Sequence, residues 1–393
     1  MTTITLDPAH LVDPDMHAEG RVFPLWTWMR KHAPVHRHEA GELPAFWSLT
    51  RYEHIRAVYQ DPKIFSSAQG VLLRPSRLGE DPGGGLSLAL TDPPRHKALR
   101  RQVADRFNER CAREMASAMQ EEVRSVVRRA IELGSCDLVH DIGARLSTFS
   151  ICRLLGVAED DYEQLLDWTT QAFHMGKALA EHEGIMRYII KLMYDRAEEG
   201  VGDAMSMLVH NGVEGELLSE TEILLNCENL IGASENAGLS IAAGILAFIE
   251  HPDQWRMVER DRSLIPTAVE EVLRWTSSAS HSMRTAVEDV EVGGQRIKAG
   301  DRLVLWIPSA NRDEAAFKSP ERFDIARRPN HHLALGIGEH VCIGGTIARH
   351  QMRMLLSELL DTAERVELTG PVVPLRSLAV NGPAYCPARV VGR

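Results

Sequence analysis

The sequence predicts a mainly α-helical protein with a small β-rich region, and three observations carry that expectation. Apolar residues recur at helical spacing through most of the stretch from about Pro94 to Arg274. Within it, "SETE" beginning at Ser219 is a capping box, with Ser219 as N-cap and Glu222 three residues on. After Arg274 the texture changes to short alternating segments punctuated by glycine.

Taken in order, the N-terminal "MTTITLDPAHLVDPDMHAEG" has no basic head and no apolar core, so no signal peptide is expected. The glycine cluster "EDPGGG" near Gly83 reads as a flexible segment. The run from Leu99 to Gly134 reads as one amphipathic helix, and further helical segments follow around Glu159 to Glu199. The run opened by Ser219 is almost wholly apolar until "HPD" at His251, roughly 30 residues and so about 45 Å of helix. A helix apolar on most sides is a buried central one. Its most apolar stretch, Leu239 to Ile249, is too short by itself to span a bilayer. "VEVGGQRI" reads as a hairpin turning at Gly293-Gly294, "RLVLWIP" as another strand, and the chain from Val372 onward as short β segments.

The chain carries 44 basic and 55 acidic side chains for a net charge of −11, which argues against a nucleic-acid partner. With 44% hydrophobic and 25% charged residues it has ample material for a core. The six cysteines are scattered without a C-x-x-C pair, the usage of reduced thiols in a cytoplasm.

The stretch beginning at His331, "HHLALGIGEHVCIGG", gathers three histidines, four glycines and Cys342. Zinc would need paired ligands, and only His340 and Cys342 sit close. A dinucleotide fingerprint would need a third glycine where Val341 stands, inside a βαβ unit that is missing here. A third reading uses more residues. Gly336, Gly338, Gly344 and Gly345 strip side chains from both sides of Cys342, so backbone can approach something flat. Met352, Leu355, Leu356, Leu359, Leu360 and Ala363 then keep helical spacing, which sets Cys342 at a helix start. A thiolate axial to haem iron is one known use of that arrangement.

"LGIGEHVCIG" resembles the haem-binding loop of the cytochrome P-450 (haem-thiolate monooxygenase) family, F-G-x-G-x-H-x-C-x-G, with Leu335 in place of the usual phenylalanine. "EEVLR" supplies Glu271 and Arg274 at the family's E-x-x-R spacing, and "FDIAR" ends in Arg327, which the resemblance makes the third member of a structural Glu–Arg–Arg cluster. "DPPRHKALRR" matches H-x-x-x-R through His96 and Arg100. The resemblance implies that these two, with Arg284 and His340, anchor the propionates of a heme b (haem b) whose iron Cys342 ligates. It further implies one haem-binding domain over residues 1–393.

The long helix resembles the one that crosses the haem face in this family, where A-G-x-(D/E)-T opens an O₂ groove and delivers protons. Here "IGASENAG" offers Ser234, Glu235 and Asn236, with asparagine where threonine is usual. Ser234 has as its plain alternative a hydrogen bond to its own helix. Glu235, a carboxylate in an apolar helix, is expected to have a role.

The implied activity is O₂-dependent hydroxylation or other oxidation of a small organic substrate, in bacterial secondary metabolism. Electrons would come from a ferredoxin and ferredoxin reductase, and the protein would be a cytoplasmic monomer without membrane attachment. Two alternatives stand: phenol or ring coupling on a carrier-bound peptide, and a haem sensor without turnover. The substrate pocket is expected to be walled by segments 66–90, 168–179, 277–284 and 377–385 besides the central helix. The electron donor is expected to dock on a basic patch of Arg101, Arg106, Arg110, Arg349 and Arg353.

Overall fold

A computed structural model describes residues 6–74, 81, 83–174, 182–200, 202–213 and 215–393. Helices dominate, and the central one, Glu220–Glu250, runs the 31 residues that the capping box and "HPD" delimit. Ser219 Oγ accepts the Glu222 N–H, and the Glu222 carboxylate accepts the Ser219 N–H at 2.8 Å. By length and composition this helix could cross a membrane, with a mean hydropathy of 1.3 over its most apolar window, but half of that window is buried inside the fold. It lies against the π-helical turn Leu138–Ala144, the helix Arg145–Leu155 and the helix Ile265–Thr276. Gly143 and Gly238 meet at the crossing with the π-helical turn, so closely that a Cβ on Gly143 would stand 2.3 Å from the Gly238 carbonyl oxygen.

The expected single helix from Leu99 to Gly134 is instead three: Arg95–Val103, Glu109–Glu114 and Ala116–Leu133. Asn108 causes the main break. Its backbone is extended and its carboxamide accepts the Cys111 N–H at 3.0 Å, an N-cap that restarts the helix. The C-terminal stop is as expected, with Gly134 left-handed at φ 69°. The segment after Gly83 is tied down rather than loose. Gly85 N–H donates to Leu90 O at 2.7 Å, and Leu88 N–H donates to Asn226 Oδ1 of the central helix at 2.8 Å. Residues 75–80 and 82, also within the expected flexible wall, lie outside the described residues.

The β-rich region forms as expected after Arg274, with the hairpin Val290–Val292 and Gln295–Ile297 turning through Gly293 and Gly294. Unforeseen are three strands from the N-terminal part. Val35–His38, Phe46–Leu49, Arg302–Trp306, His281–Ala286 and Phe65–Ser66 lie side by side in that order in a five-stranded sheet. Phe46–Leu49 pairs parallel with Arg302–Trp306, far away in sequence, and this sheet positions Arg284 on its edge of the cavity.

Candidate active site

Beneath the site lies a buried ion cluster. Arg274 Nε and Nη2 donate to the two Glu271 oxygens, each at 2.8 Å, and both residues are fully buried. Arg327 Nε adds a bond of 3.0 Å and Asn330 Nδ2 one of 3.1 Å to the same carboxylate. The guanidinium groups also reach carbonyls of Asn311, Lys318, Pro320 and Arg322, so the cluster fastens the helix Ile265–Thr276 to the chain that leads into the cysteine loop. A second clamp, unforeseen from sequence, is Glu270. Burial alone would raise its pKa, but hydrogen bonds from His332 at 3.2 Å and from Arg349 at 2.7 and 2.9 Å hold it near 2. Arg349 is therefore engaged inside the loop's footing rather than free on a basic patch. Arg106 and Arg110 both approach Glu114, at 3.9 and 3.8 Å.

Above these clamps the loop turns back on itself. Gly336 and Gly338 have φ of 63° and 76°, a conformation that favours glycine, and a Cβ on Gly338 would collide with Tyr59 O at 2.8 Å. Cys342 N–H donates to Leu335 O at 2.8 Å, and the helix Gly345–Thr362 begins three residues further on. Cys342 is an accessible thiol that lines a cavity of about 380 Å³, while protein crowds it on its other sides. That enclosure pushes its pKa upward, against the backbone N–H groups of Gly344 and Gly345 and the charges of Arg100 and Arg349. A Cβ on Gly344, also on the cavity wall, would meet only open space.

Four basic side chains meet at this end of the cavity. The rings of His96 and His340 lie 4.0 Å apart, and Arg100 and Arg284 complete the group. His96 is buried, with neither ring nitrogen hydrogen-bonded. Burial, then the charges of Arg284, His96 and Arg100, push His340 down to about 3, and burial with Arg100 lowers His96. Arg284 is likewise lowered by burial. Among the described residues no carboxylate lines the cavity, and Glu339 nearby is paired with Lys97 at 2.9 Å. Two guanidinium charges, Arg100 and Arg284, and two neutral imidazoles whose N–H groups can donate converge on open space, and that set suits a bound dianion. A haem, with a flat ring for the Gly344 face and two carboxylates for the basic cluster, fits them.

The central helix divides its polar residues between two cavities. Asn236 lines the main one, and its Oδ1 is buried without a partner. Ser234 also lines it but donates to Ile231 O at 2.7 Å, the local bond that was its plain alternative. Glu235 points elsewhere. It lines a separate cavity of about 50 Å³ with His140, Thr148, Thr169 and Ser147, and burial raises its pKa to about 7. Successive helical residues differ by about 100° in direction, and here Glu235 lines the smaller cavity while its neighbours Ser234 and Asn236 line the main one. Ser147 lines both cavities. Of the expected walls, Val71, Leu88, Ala89 and the stretch from Ser278 to Arg284 contribute, whereas residues 168–171 and 377–385 do not. The side chains of 172–174 and residues 175–179 lie outside the described residues.

A family model described as Cytochrome P450 matches residues 161–365. "Cytochrome P450 NovI" of Streptomyces niveus is 33% identical over 397 residues, covering 98% of this chain and 97% of that protein. The steroid C26-monooxygenase of Mycolicibacterium smegmatis is 30% identical over 397 residues, covering 98% and 96%. The crystal structure of P450 OxyD, described as involved in the biosynthesis of vancomycin-type antibiotics, matches with a TM-score of 0.90 at 29% identity, over 99% of this chain and 100% of that one. Agreement along nearly the whole chain, in sequence and in fold, shows that this protein belongs to the cytochrome P450 family, the haem-thiolate monooxygenases.

Proposed function

We propose that Cys342 would ligate the iron of a haem b held in the main cavity, with His96, Arg100, Arg284 and His340 anchoring its propionates and Gly336 and Gly344 shaping the cysteine loop. The observation that carries this reading is the basic cluster beside an accessible cysteine, in a cavity that no carboxylate lines among the described residues. When bound, the haem supplies reductive activation of O₂. The chain's own residues do the rest. The Glu271 cluster and the Glu270 clamp hold the loop rigid, so the sulfur keeps its place. Leu88, Ala89 and Ala233 give the cavity an apolar wall. Glu235 holds a proton on its carboxyl up to about pH 7, and Ser147 stands in the wall between it and the main cavity. Asn236 Oδ1 accepts a hydrogen bond from substrate or water.

The chain is read as one domain over residues 1–393, a cytoplasmic monomer that takes electrons from a ferredoxin and its reductase. Its substrate is a small organic molecule of bacterial secondary metabolism; the likeness to a structure from vancomycin-type antibiotic biosynthesis supports that setting. Coupling on a carrier-bound peptide is the second reading, favoured by Asn236 in place of a side-chain hydroxyl, because a phenolic substrate brings its own. Incubation with ferredoxin, reductase and ¹⁸O₂ separates the readings. One labelled oxygen in the product is expected. Loss of two hydrogens without label would establish coupling instead, and no turnover of any substrate in a broad panel would leave a sensor.

A further inference from the structure

Every polar side chain along the cavity face of the central helix is engaged except two. Asn226 donates to Leu86 O and Glu222 O and accepts from Leu88 N–H, Ser234 is bonded to Ile231 O, and Ser240 donates to Ser278 Oγ. Asn229 and Asn236 line the same cavity, and among the described residues no hydrogen bond involves the Asn229 side chain or reaches Asn236 Oδ1. They stand seven residues apart on one continuous helix. That spacing is within about 20° of two full turns, so both carboxamides lie on one face, about 10.5 Å apart along the axis. Between them the wall is lowered by Ala233, the one exposed residue of that stretch.

We propose that Asn229 and Asn236 form a two-point gauge that selects a neutral, elongated substrate carrying a hydroxyl or amide group near each end. The inference rests on the reading of the cavity as a haem pocket and deepens it by naming the substrate class. Neutrality follows from the lining: among the described residues it has no carboxylate, and the basic groups gather at the Cys342 end. A charged ligand would find no counterion beside the two amides, whereas a hydroxyl can donate to Asn236 Oδ1 and can either donate to or accept from Asn229. Ala233 leaves room for a flat body between the two anchors. An analogue lacking one polar end leaves one carboxamide without a partner, and that loss is the source of discrimination.

Rigid probes test the gauge. In 4,4′-dihydroxybiphenyl two hydroxyls stand at nearly the two-turn separation; 4-hydroxybiphenyl keeps one, and hydroquinone places two too close together. Binding to the ferric holoprotein is followed by the shift in its Soret band and, independently, by titration calorimetry. The dihydroxy probe is expected to bind at least tenfold more tightly than either control. In Asn229→Leu and in Asn236→Leu its affinity should fall to that of 4-hydroxybiphenyl, while Asn229→Gln, which keeps an amide, should retain most of the advantage. Equal affinity for the two biphenyls, an advantage that survives both leucine variants, or no binding of either probe would overturn the gauge. Normal haem content and an unchanged carbon-monoxide spectrum in the same samples would show that such a failure lies with the gauge and not with the haem site.

Discussion

Glu271→Ala should lower the stability of the protein by about 3–5 kcal/mol and yield material that purifies largely without haem. The carboxylate is the only anion bonded to Arg274 and Arg327 among the described residues, and its removal leaves two buried guanidinium groups facing each other. Their remaining bonds go to carbonyl oxygens, which cannot neutralise the charge. The Asp324 N–H, bonded to the same carboxylate at 2.8 Å, would also lose its acceptor. Because the cluster anchors the chain that runs through Asn330 into the cysteine loop, the loop should lose its geometry before the helices melt. Chemical denaturation and the ratio of Soret to protein absorbance check both effects. A variant with wild-type stability and full haem would show that the cluster is not what holds the loop.

Glu235→Gln should have an opposite and pH-dependent effect. In the folded protein burial lifts this carboxyl to about 7 from its ordinary 4.5. The native state therefore keeps a proton that the unfolded chain gives up between those two values, and stability falls as pH rises through that window. At about 1.4 kcal/mol for each pH unit, the accumulated loss above pH 7 is up to about 3 kcal/mol. Glutamine cannot ionise, so the variant should match the wild type at pH 4 and exceed it by up to that amount at pH 8. His140, paired with Asp141 at 3.1 Å on the same cavity, titrates in both proteins and cancels in the difference. A stability difference that does not change between pH 4 and pH 8 would mean that Glu235 finds a partner in solution.

What could be read from the sequence was what is encoded locally. The capping box at Ser219 and Glu222 needs only four residues, and the turn at Gly293-Gly294 only two; both formed as expected. Glu271 and Arg274 share a helix face, so their pairing too is a local matter. The contacts that were missed join distant segments. Asn330 reaches Glu271 and Arg349 reaches Glu270 only because the chain folds back, and the strand Phe46–Leu49 declares itself only beside Arg302–Trp306. Local spacing also bears on the central helix and on the break at Asn108. An angular projection of the central helix sets Asn229 and Asn236 together on one face, whereas the cavity that Glu235 lines is built by residues from other segments, such as His140 and Thr169, that the helix sequence does not announce. Asn108, a good N-cap inside an apparently continuous helical run, marked the break that the periodicity hid.

The central claim is that Cys342 carries the haem iron, and the carbon-monoxide spectrum of the reduced protein addresses it directly. The wild type should show the strongly red-shifted Soret band of thiolate ligation. Cys342→Ala, with the Glu271 cluster and the four basic side chains intact, should still fold, and any haem it binds should show an unshifted band. The other five cysteines are buried, so none can take its place. A red-shifted band that persists in Cys342→Ala would contradict the assignment and with it the reading of the whole cavity.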